Sequence, residues 1–130
     1  MREIIFKAKR KDNGELVEGY YVYCRKRHYI LPVLNKAIGF DEREDELVEI
    51  VPDTLCQYTG FADKNGQKIW ENDIAYIRSS GLSGYGVIKY ENGNLVLVDS
   101  KRKRTYSLYG EWKIRKDGNI FDNADLLEVE

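Results

Sequence analysis

The sequence has few of the residues that build disulfide frameworks, metal sites or histidine-based catalysts. Its 130 residues include two cysteines, Cys24 and Cys56, and one histidine, His28. Neither cysteine belongs to a C-x-x-C motif, and one histidine with two separated cysteines cannot form a closed tetrahedral zinc site without carboxylates. We therefore expect two small buried thiols in a reducing cytoplasm, and we expect no cofactor and no metal.

The sequence also lacks a long apolar run and an excess of one charge. No stretch approaches the length of a transmembrane helix, and the residues after Met1 do not form a signal peptide. We therefore predict a cytoplasmic protein without a membrane partner. The 21 Lys and Arg nearly balance the 22 Asp and Glu, for a formal net charge of -1. This balance argues against a strongly electrostatic nucleic-acid binder but permits a local basic patch.

Tyrosine and turn-forming residues are what the sequence does contain. Ten tyrosines against two prolines favour strands, because Tyr suits a half-buried pleated face. Alternating segments with turn signals about every ten residues predict an all-β fold. The predicted strands cover residues 4–9, 16–24, 29–31, 47–51, 55–59, 67–70, 74–77, 86–90, 95–99, 105–109 and 112–115.

Polar corners rich in Asp, Asn and Gly separate these strands. Gly60 is predicted to end the strand over 55–59, residues 79–84 to form a flexible loop, and the charge run over 41–46 to be a solvated loop. Asn123 is predicted to be the N-cap of a final helical turn whose leucines plug one end of a barrel. The other predicted corners are residues 12–14, 25–28, 63–66, 71–73, 91–94, 100–104 and 116–119.

The stretch from Val51 to Ile74 contains the most specific motifs in the chain. It includes Val51-Pro52-x-Thr54, Gln57-Tyr58-Thr59-Gly60, Asp63-Lys64-Asn65-Gly66 and Ile69-Trp70-Glu71-Asn72-Asp73-Ile74. Further matches lie in residues 1–8, 86–90 and 118–127. Together these motifs resemble the signature of the YopX family of phage and prophage proteins.

The resemblance implies a small, mainly β protein of unassigned function that a phage or prophage encodes. The cytoplasm predicted above would then be that of a bacterial host. It supplies no catalytic residues. Asn72 stands where the family usually has Gly, and Asn also tolerates a left-handed conformation. Ala124 stands where the family usually has Pro. The structural motif comprises Gln57, Tyr58, Thr59, Gly60, Asp63, Asn65, Gly66, Glu71 and Asp73.

We expect one domain over residues 1–130, with an N-terminal β-meander over 1–40 and a β-barrel portion over 47–130. The order of strands and corners from Ile69 onward predicts a small SH3-like or related β-barrel. An N-terminal β-hairpin layer and a short C-terminal helical turn complete the predicted fold.

Two basic tips beside tyrosines are the candidate nucleic-acid contacts. Lys and Arg bind phosphates while Tyr rings stack on bases. The alternative interpretation is two ordinary charged tips flanked by packing tyrosines. The candidate contacts are Arg25, Lys26, Arg27, Lys101, Arg102, Lys103, Arg104 and Tyr106.

Three functions follow as hypotheses. The first is a non-enzymatic phage accessory protein that forms a homo-oligomer through exposed strand edges and aromatic faces. The second is a nucleic-acid-binding module that uses the two basic tips. The third is a small hydrolase that uses Glu71, Asp73 or His28. Turn bonding explains Asp73 more simply, a solvated turn explains His28, and we therefore predict no catalytic residues.

Overall fold

The computed structural model describes residues 4–32, 46–79, 81–108 and 114–128. In these ranges the chain forms eleven strands in two antiparallel sheets, which confirms the predicted mainly β class. Residues 41–45 of the predicted charged loop lie outside the described residues, as do residues 109, 112 and 113 of the predicted strands. Contacts group the chain into two compact units, Met1–Tyr58 and Thr59–Glu130.

The first unit is an antiparallel sheet. Its strands are β1 (Phe6–Lys9), β2 (Leu16–Cys24), β3 (Arg27–Pro32), β4 (Val48–Glu49) and the beginning of β5 (Cys56–Ala62). They lie in the order β4-β3-β2-β1-β5. Strand β2 has the bounds that its alternation predicts. Because side chains alternate along it, Tyr20 and Val22 lie on one face and Tyr21 and Tyr23 on the other.

Alternation along β1, β2 and β3 gives the first unit a small core on one face of its sheet. Thr54 ties the 3-10 helix Pro52–Thr54 to this sheet, because its hydroxyl accepts a 2.8 Å hydrogen bond from the Lys9 N–H and donates one of 2.6 Å to the Val51 carbonyl. The Val51-Pro52-x-Thr54 motif is therefore structural. The core comprises the buried Ala8, Ile30 and Ile50 with Phe6, Val17, Tyr21 and Leu55 packed against them.

The second unit contains the five-stranded sheet. Its strands are β6 (Lys68–Trp70), β7 (Asp73–Ser79), β8 (Leu82–Glu91), β9 (Asn94–Asp99), β10 (Arg104–Ser107) and β11 (Ile114–Asn119). Strands β7 to β11 lie in the order β10-β9-β8-β7-β11, while β6 lies beside β5. Within the described ranges β10 and β11 are edges, so the sheet is not closed and the predicted barrel is not confirmed. The core of this unit comprises Ile69, Ala75, Ile77, Ile88, Leu95, Leu97, Leu108 and Ile114.

Asp63 organises the corner that joins β5 to β6. Its Oδ1 accepts hydrogen bonds of 2.9 Å from the N–H groups of Asn65 and Gln67, and its Oδ2 accepts one of 2.9 Å from the N–H of Lys116 in β11. Burial alone would raise the pKa of Asp63, but the hydrogen bonds from Lys116, Gln67 and Asn65 outweigh it and hold the pKa below its ordinary value. One carboxylate thus closes the predicted turn and attaches it to an edge strand.

Asp73 and Thr59 satisfy buried backbone groups in the same way. Asp73 is fully buried, and its Oδ2 accepts a 2.8 Å hydrogen bond from the Trp70 N–H and lies 3.3 Å from the Lys116 Nζ. The Thr59 hydroxyl donates a 2.7 Å hydrogen bond to the Ile69 carbonyl. Because a buried polar group without a partner is costly, these motif residues explain local folding.

Asn72 adopts the left-handed conformation that its position requires. Its φ is +67°, which agrees with the prediction that Asn can replace Gly there. The Asn72 N–H donates a 2.9 Å hydrogen bond to the Ile88 carbonyl, and the Asn72 carbonyl accepts one of 3.0 Å from the Ile120 N–H. The corner before β7 therefore contacts both β8 and the segment after β11.

Two predicted breaks differ in the structure, one being continuous strand and the other a much shorter connection. Strand β5 runs through Gly60, whose φ of +88° accommodates an irregular step within the strand. The predicted flexible loop over 79–84 is also wrong, because β7 and β8 pair as far as Ser79 and Leu82. The two-residue connection includes Gly81, whose φ is +81°. In both places glycine supplies positive φ without ending the sheet.

The predicted corner over 116–119 is the end of strand β11, and its register shifts between Lys116 and Gly118. Asp117 lies at this bulge, where it accepts hydrogen bonds of 2.8 and 2.9 Å from Arg115 and one of 2.8 Å from the Tyr85 hydroxyl. The Arg115 guanidinium holds the pKa of Asp117 below its usual range. The bulge thus places Asp117 against its two partners.

The predicted C-terminal helical turn is the 3-10 helix Ala124–Glu128. An N-cap side chain accepts a hydrogen bond from the helix that follows it. The Asn123 Oδ1 instead accepts a 3.1 Å hydrogen bond from the N–H of Asn119, which precedes it. Leu126 and Leu127 are half-buried, and the helix lies against β7 and β8. The leucines therefore pack on a sheet, which corrects the prediction of a barrel plug.

The two cysteines differ in environment. Cys56 is buried, as predicted, and its thiol donates a 3.3 Å hydrogen bond to the Thr54 carbonyl. Cys24 is exposed, so the prediction of a second buried thiol is wrong. Strand β2 extends beyond its pairing with β1, which ends at Gly19, and Cys24 is its last residue.

We predict that Asp63→Asn destabilises the protein by about 2–4 kcal/mol near neutral pH, because an amide group would face the Lys116 N–H and the charge-assisted hydrogen bonds would be lost. Since folding lowers the pKa of Asp63, its contribution is present above the ordinary pKa of about 4 and is lost as the pH falls through the folded-state pKa. Urea unfolding of both proteins across a pH series measures this difference.

Glu91→Gln is the matched control, because Glu91 is an exposed carboxylate in the same unit. Its unfolding free energy is expected to follow the unmodified protein at every pH. A deficit for Asp63→Asn that stays constant into acid would contradict the assigned role of the Asp63 charge.

Candidate nucleic-acid interface

The first basic tip is a two-residue turn between β2 and β3. Arg25 and Lys26 have φ values of +52° and +66°, and Cys24 pairs directly with Arg27. Two consecutive residues with positive φ form a type I′ turn, which strongly prefers Asn-Gly. The predicted polar tip over 25–28 is therefore shorter than expected, and Arg27 and His28 belong to β3.

The second unit offers a direct comparison for this turn. Between β8 and β9 the same kind of turn is made by Asn92 and Gly93, with φ values of +53° and +80°. Non-glycine residues in this region cost about 1–3 kcal/mol each. Arg25 and Lys26 therefore place two cationic side chains where Asn-Gly would be more stable.

A cleft of about 320 Å³ lies beside this tip. Lys11, Lys26, Arg27 and His28 line it together with Glu49 and the apolar Ile50, Val51 and Pro52. We call this site the basic cleft. It carries three cations, one carboxylate and one imidazole, so positive charge predominates in its lining.

Glu49 is the single carboxylate among the residues that line the basic cleft. Its Oε2 lies 3.2 Å from the Lys11 Nζ, and its Oε1 lies 3.7 Å from the Arg27 Nη1. Both cations remain about two-thirds exposed, and exposed ion pairs contribute little free energy. A phosphate can therefore replace Glu49 as the anion that these cations contact.

Aromatic rings form a row next to the basic cleft. The Tyr23 ring lies 4.9 Å from the His28 ring, His28 stacks on Tyr21 at 5.8 Å and 13°, and Tyr21 lies 5.8 Å from Phe6. The Tyr21 hydroxyl also hydrogen-bonds the His28 Nδ1. We call these four residues the aromatic row. His28 belongs both to this row and to the basic cleft.

The second basic tip connects β9 to β10 in the other unit, and two of its cations have intramolecular contacts. The Lys101 Nζ donates a 2.8 Å hydrogen bond to the Glu128 carbonyl, and Arg102 contacts the buried Asp99 at 3.2 Å. Lys103 is exposed with a φ of +56°, whereas Arg104 is half-buried at the start of β10.

Tyr106 packs against the core of the second unit. Its hydroxyl is buried and has no hydrogen-bond partner among the described residues. Its ring therefore contributes to folding. Of the eight predicted contacts, Arg25, Lys26 and Arg27 are the ones that lie together at an exposed tip of the first unit.

Sequence reasoning did not find Lys11, Glu49 or Tyr23, and it placed His28 in a solvated turn. The pairing of Tyr23 with His28 follows from the turn at residues 25 and 26. Two alternating segments joined by a two-residue turn are the sequence signal that could have predicted this pairing. Lys11 and Glu49 meet through a salt bridge that joins residues 38 positions apart, and no local pattern indicates such a contact.

The residues of the hydrolase hypothesis have different surroundings. Asp73 is fully buried against Trp70 and Lys116, and His28 belongs to the first unit. Glu71 lies at the half-buried corner before β7. Across the described ranges, no three His, Cys, Asp or Glu side chains group closely enough to hold a metal ion.

Comparison with known proteins agrees with these motifs. A family model described as YopX protein matches residues 5–128, which is nearly the whole chain. The chain therefore belongs to the YopX family, as its motifs indicate. No curated protein matches the chain. No helix in the described residues combines the length and the apolar character needed to cross a membrane.

We predict that replacing the turn by Arg25→Asn with Lys26→Gly stabilises the protein by about 1–3 kcal/mol, because Asn-Gly adopts positive φ at lower cost. Urea unfolding measures the gain as a higher midpoint with an unchanged slope.

The reciprocal pair, Asn92→Arg with Gly93→Lys, is the control and is expected to lose a similar free energy. If the Asn-Gly variant of the first turn is no more stable than the unmodified protein, the cost assigned to Arg25 and Lys26 is refuted.

Proposed function

We propose that this protein is a non-enzymatic phage-type interaction protein that binds nucleic acid through the basic cleft. The observation that carries the proposal is the convergence of Lys11, Lys26 and Arg27 on one cleft of the first unit. Phosphate contacts supply the sequence-independent part of nucleic-acid affinity. A net charge near zero is compatible with this role when the positive charge is concentrated locally.

The cost of the Arg25-Lys26 turn gives independent support. Strained backbone positions cluster at functional sites, and the inference runs from an observed outlier to a functional hypothesis. Within the described residues the chain closes another turn of this type with Asn-Gly, a pair that adopts positive φ at lower cost than Arg-Lys. The cationic side chains are a reason to keep the less stable turn.

This proposal includes a cytoplasmic location in the bacterial host, where nucleic acid is accessible. It also includes an SH3-like arrangement for the second unit. Strands β7 to β10 form a meander, and β11 returns to pair with β7. This strand order supports the arrangement.

We predict that Lys26→Ala with Arg27→Ala weakens binding to an oligothymidylate of about 16 nucleotides. Each lost phosphate contact lowers the slope of log affinity against log salt by about 0.7 on single strands, so the double variant should lose about 1.4. Fluorescence anisotropy between about 50 and 200 mM salt measures both quantities.

The control is Lys101→Ala with Lys103→Ala, which removes the same charge from the second unit and is expected to leave affinity and slope unchanged. Glu49→Gln should bind more tightly, because it removes the carboxylate that contacts Lys11 and Arg27. If both double variants lose affinity equally, or if the unmodified protein does not bind at about 50 mM salt, the basic cleft is not the binding site.

Self-association is a second candidate function, and one observation favours it. Leu16 and Tyr20 lie on the same face of β2 and are 44% and 48% exposed. Exposed apolar side chains that share a face are typical of contacts between subunits. We propose that this face pairs two copies of the chain in a homo-oligomer.

We expect the sedimentation coefficient to rise with protein concentration, and Tyr20→Ser to abolish the rise by removing the largest ring of the contact. Sedimentation velocity at several concentrations measures both. A monomer at every concentration would refute self-association and leave the nucleic-acid proposal unaffected.

A further inference from the structure

We infer that the first unit selects single-stranded nucleic acid, and that Tyr23 provides the ring on which a base stacks. This inference rests on the proposed phosphate binding in the basic cleft. Tyr23 and His28 were not among the contacts that the sequence suggested.

The exposure of Tyr23 is the first observation. Its side chain is 59% exposed, although its ring lies 4.9 Å from the His28 ring. An aromatic ring that is supported on one side and accessible on the other is the platform used by proteins that bind single strands. Every base has a face that can stack, so such contacts do not depend on sequence.

The rigidity of the aromatic row is the second observation. His28 is half-buried and is held by Tyr21 through both stacking and a hydrogen bond. Tyr21 and Phe6 pack against the core of the first unit. Because the support beneath Tyr23 is already ordered, binding a base there orders few additional side chains.

The position of the row beside the cations is the third observation. His28 lines the basic cleft together with Lys26 and Arg27, and it also contacts Tyr23. Tyr23 precedes the Arg25-Lys26 turn by two residues. His28 therefore connects the basic cleft to the Tyr23 ring, so a stacking surface lies one residue away from the phosphate contacts.

Strand selection follows from this arrangement. The bases of a duplex are stacked on each other and cannot offer their faces to a protein ring, whereas unstacked bases of a single strand can. Phosphate contacts alone do not distinguish the two forms. We therefore assign the preference for single strands to Tyr23 and the general affinity to the cations.

The test compares Tyr23→Leu with the unmodified protein on two probes of equal phosphate number, an oligothymidylate and a blunt DNA duplex. Stacking is worth about 1–3 kcal/mol per base, so affinity for the oligothymidylate should fall about 5- to 150-fold, while duplex affinity stays constant. Tyr23→Phe keeps the ring and should retain the oligothymidylate affinity.

Phe61→Leu is the matched control, because Phe61 is an exposed aromatic residue of the second unit, and it should change neither affinity. Unfolding midpoints of all three variants confirm that they fold. If the unmodified protein binds both probes equally and Tyr23→Leu changes neither, the inference is overturned while the proposed phosphate binding stands. If neither probe binds the unmodified protein, both fail.

Discussion

The register of the β2–β3 hairpin is the constraint on which the candidate interface depends. The Arg25-Lys26 turn fixes this register at one end by pairing Cys24 with Arg27. Gly19 fixes it at the other end, because a Cβ there would collide with the Leu31 carbonyl. A slip of one residue would move the tyrosines of β2 to the opposite face. The aromatic row exists because the short turn prevents this slip.

The cations at the Arg25-Lys26 turn lower the stability of the β2–β3 hairpin. A turn that prefers Asn-Gly is occupied by two residues with long charged side chains, and the hairpin gives up stability to present them. The Lys11 and Arg27 side chains contact Glu49 instead of facing each other as uncompensated charges. One carboxylate offsets only part of the charge of the three cations in the basic cleft, so the site keeps a net positive charge that can attract a further anion.

The motifs of the central stretch stabilise the backbone. Thr54, Thr59, Asp63 and Asp73 all direct side-chain oxygens at backbone groups. Asp63 joins the β5–β6 corner to β11 with one carboxylate. Each of these residues satisfies backbone groups in this chain, so these motifs explain how the chain folds. The three cations of the basic cleft and Tyr23 lie outside these motifs, whereas Val51 and Pro52 line the cleft and belong to one of the motifs.

Much of the fold could be predicted because its elements follow local rules. Alternation gave the bounds of β2, and Asn92-Gly93 gave the turn between β8 and β9. Glycine was the main source of error, because Gly60 and Gly81 suggest loops but supply positive φ within or between paired strands. Gly81 lies between Ser79 and Leu82, which pair with each other, and a tight turn gives the same local signal as a longer loop.

The candidate site could be predicted only in part, because strand pairing and ion pairs bring some of its residues together and the local sequence does not show these contacts. The charge of Arg25, Lys26 and Arg27 is visible in the sequence, and so are the tyrosines beside them. Tyr23 and His28 meet through strand pairing, and Lys11, in the turn after β1, meets Glu49 of β4. Lys101 and Arg102 were also predicted as contacts from their charge. In the fold, each of them has an intramolecular partner that the sequence does not indicate.

Amide chemical shifts recorded while an oligothymidylate is titrated into the protein test the central claim most directly, because they report which residues a nucleic acid contacts. Binding in the basic cleft and on the aromatic row predicts that the perturbed amides cluster at residues 11, 23–28 and 49–52. Perturbations centred on residues 101–104, or none at any ratio of oligonucleotide to protein, would contradict the account.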